Sequence, residues 1–326
     1  MKIVLLLFIL IAAAAKTISV DSYAFALVWK PDKSIFPQDK NTVLAFNAEK
    51  KARMPEPLTK NPLIPVKQKA SEIKTIIIDP GHGGKDPGAV SGKPTWNKTK
   101  RNIKHIKTIL TEKEAVLAIS KILAKLLKEK LPEIQCILTR DDDSFIALKD
   151  RIRIANQRKG DLFISIHANS IHGDKSKKAC INGYGVYFLD VARDDEARAV
   201  AALENASITY EENRKEETDN DLDFILKSTE LNLFRNQSEA FAIILEQEMG
   251  KIGNKFRRHK TGVDQADFYV LRGAEMPAVL LETAFISNPL EAEMLGNGSF
   301  QEAVARAVLR SIIRYKEKYE IGLEAQ

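Results

Sequence analysis

The sequence has little of what would make several functions easy to assign. It holds two cysteines, Cys136 and Cys180. Two are too few for a disulfide framework, and they have no metal-ligand spacing. One falls in a predicted buried strand and the other in a polar loop, so both are expected to be unpaired. Past the N-terminus no apolar run approaches the roughly 20 residues needed to span a bilayer, so stable membrane insertion is not expected. There is no Gly-x-Ser-x-Gly elbow and no catalytic-cysteine signature. No basic-aromatic motif of a nucleic-acid module appears. The net charge of +6 is modest and comes largely from lysines in the first third of the chain. It argues for an anionic surface or polymer as a neighbour, with no nucleic-acid readout. The glycine-rich stretch Gly81-His82-Gly83-Gly84 is not a nucleotide loop either. A dinucleotide fingerprint needs a third glycine where Asp86 stands, and a P-loop needs Ser or Thr after Lys85.

The chain has 326 residues, enough for one large domain or two small ones. Lys2 and the apolar run Val4 to Ala15 read as the start of a signal peptide within residues 1–26. Cleavage is expected after Ala13-Ala14-Ala15 or after Ala24-Phe25-Ala26. That predicts an exported protein, periplasmic or cell-wall-associated. Residues 27–71, with six prolines among many lysines, read as a linker with at most a short helix near Asn41 to Arg53. A catalytic domain is expected over 72–320.

Within it, strands are predicted at Ile73 to Asp79, Ile134 to Arg140, Leu162 to His167, Tyr184 to Leu189, Phe268 to Leu271 and Ala278 to Thr283. Helices are predicted at Glu112 to Lys130, Leu148 to Lys159, Ala197 to Ile208, Ser238 to Ile252, from Pro289 behind an Asn288 N-cap, and at Phe300 to Tyr319. Alternating strands and helices indicate an α/β fold: a single mixed, mostly parallel six-stranded sheet flanked by helices on both faces. Residues 91–110 form a basic insert around Trp96, either a solvated loop or a lip that meets an anionic polymer. His105 lies in it without a ligand-like setting, and His172 is expected to face solvent. Residues 190–237 are a polar, charge-rich excursion.

Four residues fall at strand ends or a helix start: His82, Glu112, His167 and Glu282. His82 follows the first strand between glycines, which let backbone pass close to a ligand without a Cβ in the way. In α/β sheets chemistry collects at the C-terminal ends of strands. Thr111 and Glu114 have capping-box spacing. Glu114 then reaches back to the N-cap, and Glu112 is left free to point into a site; otherwise Glu112 is a surface acid favoured by the helix dipole. Two imidazoles and a carboxylate can hold catalytic zinc (Zn2+) with a position open for water. A further carboxylate can act as general base and then acid.

The motifs Asp79-Pro80-Gly81-His82-Gly83-Gly84, Glu112-Lys113, Ser165-Ile166-His167-Ala168-Asn169 and Leu281 through Asn288 occur in the order seen in zinc-dependent N-acetylmuramoyl-L-alanine amidases, and the chain resembles that family over residues 73 to 318. Thr139-Arg140-Asp141, Leu148 with Arg151, Ala155-Asn156 and Pro277 through Leu280 add to the likeness. The resemblance implies His82, Glu112 and His167 as zinc ligands and Glu282 as the acid/base. The implied reaction is cleavage of the amide between the lactyl group of N-acetylmuramic acid and L-alanine in peptidoglycan, by a monomer, in wall remodelling or daughter-cell separation. Segment 190–237 resembles, in placement, the insertion of division-associated AmiA/B/C-like amidases, where an inserted helix covers the site until an activator protein withdraws it. That likeness implies a glutamate between 204 and 217 as a plug; an ordinary surface excursion is the alternative. Two other functions compete: a zinc peptidase or deacetylase on another wall substrate, and a catalytically silent wall-binding regulator.

Overall fold

The computed structural model describes residues 72–92, 109–171, 173, 175–211, 221–253 and 262–324. The expected signal peptide, the expected linker and short helix, most of the basic insert with His105, and His172 fall outside the described residues.

The strands are β1 (Thr75–Pro80), β2 (Gln135–Leu138), β3 (Leu162–His167), β4 (Gly185–Leu189), β5 (Asp264–Ala266) and β6 (Ala278–Glu282). The α-helices among the described residues are α1 (Glu112–Lys130), α2 (Leu148–Gln157), α3 (Lys175–Cys180), α4 (Asp195–Asn205), α5 (Asp221–Met249), α6 (Pro289–Leu295) and α7 (Gly298–Glu324). They build one six-stranded sheet in the order β2-β1-β3-β6-β4-β5. All neighbours run parallel except β4 against β6, so the sheet is mixed and mostly parallel, as expected.

Period-two alternation sends side chains of each central strand to opposite faces. Ile76 and Ile78 of β1, Ile164 and Ile166 of β3 and Leu281 of β6 meet α1, α5 and α7 on one face. Ile77, Phe163 and Leu280 meet α2, α4 and a 3-10 turn at Tyr269–Leu271 on the other. Burial on both faces explains why these strands read as continuous β-branched and leucine runs. Both cysteines are free, Cys136 half-buried and Cys180 exposed.

Two expected elements are corrected. The fifth strand is Asp264–Ala266, and Tyr269–Leu271 is the 3-10 turn. Phe268, Val270 and Leu271 are buried side by side, and a short apolar run of that kind cannot be told from a strand by periodicity. The helix expected from Ser238 begins at Asp221, so its first turns fall within the charge-rich stretch 190–237.

Candidate active site

β1, β3 and β6 are adjacent, so their C-terminal ends deliver three candidate residues to one place. The β3/β6 register pairs His167 directly with Glu282. Gly81 then donates its N–H to the Ile166 carbonyl at 3.0 Å, which carries the β1 exit past the end of β3. The sequence argument from glycine holds here in atomic terms. A Cβ on Gly81 would stand 2.4 Å from His167 Cε1, and one on Gly88 would stand 2.6 Å from His82 Cδ2. His82 itself has φ 58°, a conformation that a non-glycine residue adopts only when its surroundings enforce it.

Those surroundings are two buried arginines. Arg151 donates to the Pro80 carbonyl (2.8 Å) and the His82 carbonyl (2.7 Å), and pairs with Asp79 at 2.9 Å. Arg140 donates to the Pro80 and Gly81 carbonyls at 3.0 and 2.7 Å. Three consecutive carbonyls of the loop are therefore pinned. Asp79 accepts further hydrogen bonds from Thr139 (2.5 Å) and Ser165 (2.8 Å). Burial alone would raise its pKa, but Arg151 and these hydroxyls outweigh it and hold the carboxyl below the usual range.

The capping box sorts the two glutamates of α1. Glu114 is exposed and accepts from the Thr111 N–H (3.1 Å) and hydroxyl (2.6 Å). Glu112 is buried and points inward, accepting from the Ala89 N–H and the Ala168 N–H, both at 2.8 Å.

Around Glu112 the site assembles. His82 Nε2 lies 3.2 Å from Glu112 Oε1 and 3.1 Å from Glu204 Oε2. His167 Nδ1 lies 3.2 Å from Glu112 Oε1 and 2.7 Å from Glu204 Oε2. Ligand atoms of these four buried residues all fall within 4.8 Å of one another. Yet neither His82 Nε2 nor Glu204 Oε2 has a hydrogen bond of acceptable alignment. His167 Nδ1 and Glu112 Oε1 are within hydrogen-bond distance of each other, but a set of two imidazoles and two carboxylates gathered this closely, with buried donor atoms left over, is one that can hold a cation. Glu282 is buried beside them, with neither carboxylate oxygen hydrogen-bonded.

Charge supports the same reading. Burial pushes His82 and His167 down, but the carboxylates outweigh it: Glu112 lifts His82 well above its ordinary value, and Glu204 with Glu112 lifts His167 to about 10. Burial and the Glu204 carboxylate push Glu282 well above the ordinary range. Three buried carboxyls thus share two imidazoles, and a divalent cation is the economical way to balance such a set. The residues present fit a metal ion.

Comparison with known proteins gives the family. A family profile described as N-acetylmuramoyl-L-alanine amidase matches residues 76–314. The chain belongs to that family. It is 32% identical to the amidase AmiA of Escherichia coli over 252 residues, covering 77% of this chain and 79% of AmiA. It is 32% identical to AmiC of Neisseria meningitidis over 249 residues, covering 74% of this chain and 52% of AmiC, so it spans about half the length of that relative. Among solved structures, the amidase AmiC2 of Nostoc punctiforme superposes with a TM-score of 0.51 at 26% identity, covering 76% of this chain and 99% of that one.

All four residues singled out in the sequence are brought together. To these α4 adds Glu204, a residue inside the range 204 to 217 that the family likeness implied. Asp86 and Ser207 were missed. Asp86 accepts from His82 Nδ1 at 2.8 Å, four residues on. That i, i+4 spacing is the signal the sequence offers for it.

Proposed function

We propose that the chain hydrolyses the amide between N-acetylmuramic acid and L-alanine of peptidoglycan, at zinc held by His82, Glu112 and His167, with Glu282 moving the proton. The convergence of two imidazoles and a glutamate beside a buried, unpaired Glu282 carries this reading. Zinc supplies a Lewis acid that polarises the scissile carbonyl and acidifies water. Glu112 is fixed by two backbone N–H groups, so its carboxylate is pre-oriented and needs no rearrangement. The Glu282 carboxylate takes a proton from the attacking water and passes it to the alanine nitrogen as the C–N bond breaks. Its buried setting raises its proton affinity, which suits a group that must hold that proton between the two events. The products are the lactyl carboxylic acid and a stem peptide with a free alanine amine.

Glu204 adds a second carboxylate to the cluster, and in this reading it fills the place that water and substrate need at the metal. It is delivered by α4 and by a 3-10 turn at Ala206–Tyr210. Below these, the Glu211 carboxylate accepts from the Leu148 N–H at 2.9 Å, at the start of a helix whose N-cap, Ala147, has no side-chain acceptor. Tyr210 packs against Phe145 with ring centroids 6.5 Å apart. We read the segment as a plug that an activator protein withdraws, in an exported enzyme facing the wall. No helix among the described residues is long and apolar enough to cross a membrane.

The test is stem-peptide release from purified peptidoglycan by the mature chain, with products identified by mass. Glu204→Ala should exceed wild type by at least about tenfold, the equivalent of one charge-assisted hydrogen bond or more, and free peptides should begin with L-alanine. Equal activity in the two would remove the plug. Acetate or shortened peptides as product would favour the deacetylase or peptidase reading.

A further inference from the structure

We infer that Asp86 is the positioning residue of His82 and also the point on which the insertion docks. The inference rests on the zinc site and the plug just described. Asp86 is 2% exposed. Its place is set by the loop backbone: Gly83 and Asp86 exchange N–H···O bonds of 2.9 and 3.1 Å. One carboxylate oxygen, Oδ1, accepts from the Gly88 N–H at 3.0 Å. The other, Oδ2, faces His82 Nδ1 at 2.8 Å. Because His82 Nε2 is the nitrogen turned toward Glu112 and Glu204, the proton of the neutral ring belongs on Nδ1. A carboxylate there fixes the tautomer and the ring plane and makes Nε2 a better donor.

The same Oδ2 has a second partner from a remote part of the chain. The Ser207 hydroxyl donates to it at 2.7 Å and stands 3.2 Å from His82 Nδ1. Ser207 lies three residues after Glu204, on the 3-10 turn that ends the plug. The insertion therefore grips the site twice, at the ligand cluster through Glu204 and behind the ligand through Ser207. The second grip needs no metal. An Asp86 that only closed the loop would have no need of either side-chain partner on Oδ2.

The experiment uses the full mature chain, with folding checked by circular dichroism. Zinc affinity is measured by chelator competition for wild type, Asp86→Ala, Asp86→Asn, Ser207→Ala and Glu204→Ala. Backbone hydrogen exchange of peptides covering residues 195–211 is followed in the zinc-free proteins, where no metal holds Glu204. Asp86→Ala should weaken zinc binding by about 10- to 100-fold. Asp86→Asn should fall between it and wild type, since the amide keeps an acceptor for Nδ1–H. Ser207→Ala should weaken zinc binding no more than Glu204→Ala does. Exchange over 195–211 should be faster than wild type in both Asp86→Ala and Ser207→Ala.

Wild-type zinc affinity in folded Asp86→Ala, or in Asp86→Asn where the alanine variant does not fold, would overturn the positioning role. Unchanged exchange in both variants would overturn the docking role. Failure of the wild type to bind zinc would remove the site and this inference with it. A loss of zinc affinity in Asp86→Ala without any gain of activity in Glu204→Ala would instead remove the plug and leave the positioning role standing.

Discussion

The Glu204 carboxylate stands 2.7 Å from His167 Nδ1 although 37 residues of sequence separate them; it reaches there from α4, on the segment between β4 and β5. A residue from outside the strand-end constellation thus joins His82, Glu112 and His167 in one group whose side-chain donor atoms lie within 4.8 Å of one another.

Glu282 is expected to act on rate alone. Glu282→Gln should lower kcat by about 10²- to 10⁴-fold, the usual contribution of a general acid/base, while zinc content and KM change little. Steady-state kinetics on a soluble muropeptide beside metal analysis checks this. Loss of zinc together with activity would make Glu282 a ligand instead.

Gly81→Ala should damage the metal site without touching a ligand. The added Cβ would meet the His167 ring at 2.4 to 2.7 Å, closer than atoms can pack, so the imidazole must move. Zinc affinity should fall by about tenfold or more, comparable to loss of an outer contact of the site. Calorimetric titration with zinc reads this directly, and wild-type affinity would show that the loop does not hold His167 in place.

Arg151 and Asp79 should behave as a buried pair. Arg151→Ala leaves the Asp79 charge without its cation at zero exposure, a loss of about 3 to 5 kcal/mol. The double variant Arg151→Ala with Asp79→Asn should lose less than the sum of the singles. Urea denaturation of the four proteins gives the coupling; strict additivity would contradict the pairing.

Glu248 makes stability depend on pH. Burial alone would raise its pKa, but bonds from Lys251, Arg310 and Arg314 outweigh it and bring it down to about 2 from an ordinary 4.5. A folded-state pKa below the unfolded one contributes stability above the ordinary value, and that contribution is lost as the pH falls through the folded value. Glu248→Gln should therefore melt below wild type at pH 7, and the gap should close between pH 4.5 and about 2. Melting curves across that range test the sign, and a gap that stays constant would contradict it.

How much of this was legible in the sequence depended on whether the signal was local. The β1 run Ile76-Ile77-Ile78 and the glycines around His82 state their own purpose, since an apolar triplet must be buried and a glycine must accommodate a close approach. The capping box separated Glu112 from Glu114 because both ends of that bond lie within one helical turn. For Glu204 the residues themselves gave no signal, and only the family likeness implied a range: a helical pattern shows which face is apolar, not which acid enters a site made by other elements. Asp86 and Ser207 meet 121 residues apart, and no periodicity encodes such a contact. The strand expected at Phe268 failed for a related reason, because burial of consecutive apolar residues came from packing under a turn and not from pairing with a neighbour.

The most direct test of the account is to measure zinc content and stem-peptide release in the same samples of mature wild type, Glu204→Ala and His167→Ala. The account predicts near-stoichiometric zinc in wild type and Glu204→Ala, strong release by Glu204→Ala, and loss of both zinc and release in His167→Ala. Release of stem peptide by zinc-free protein, or full activity in His167→Ala, would contradict it.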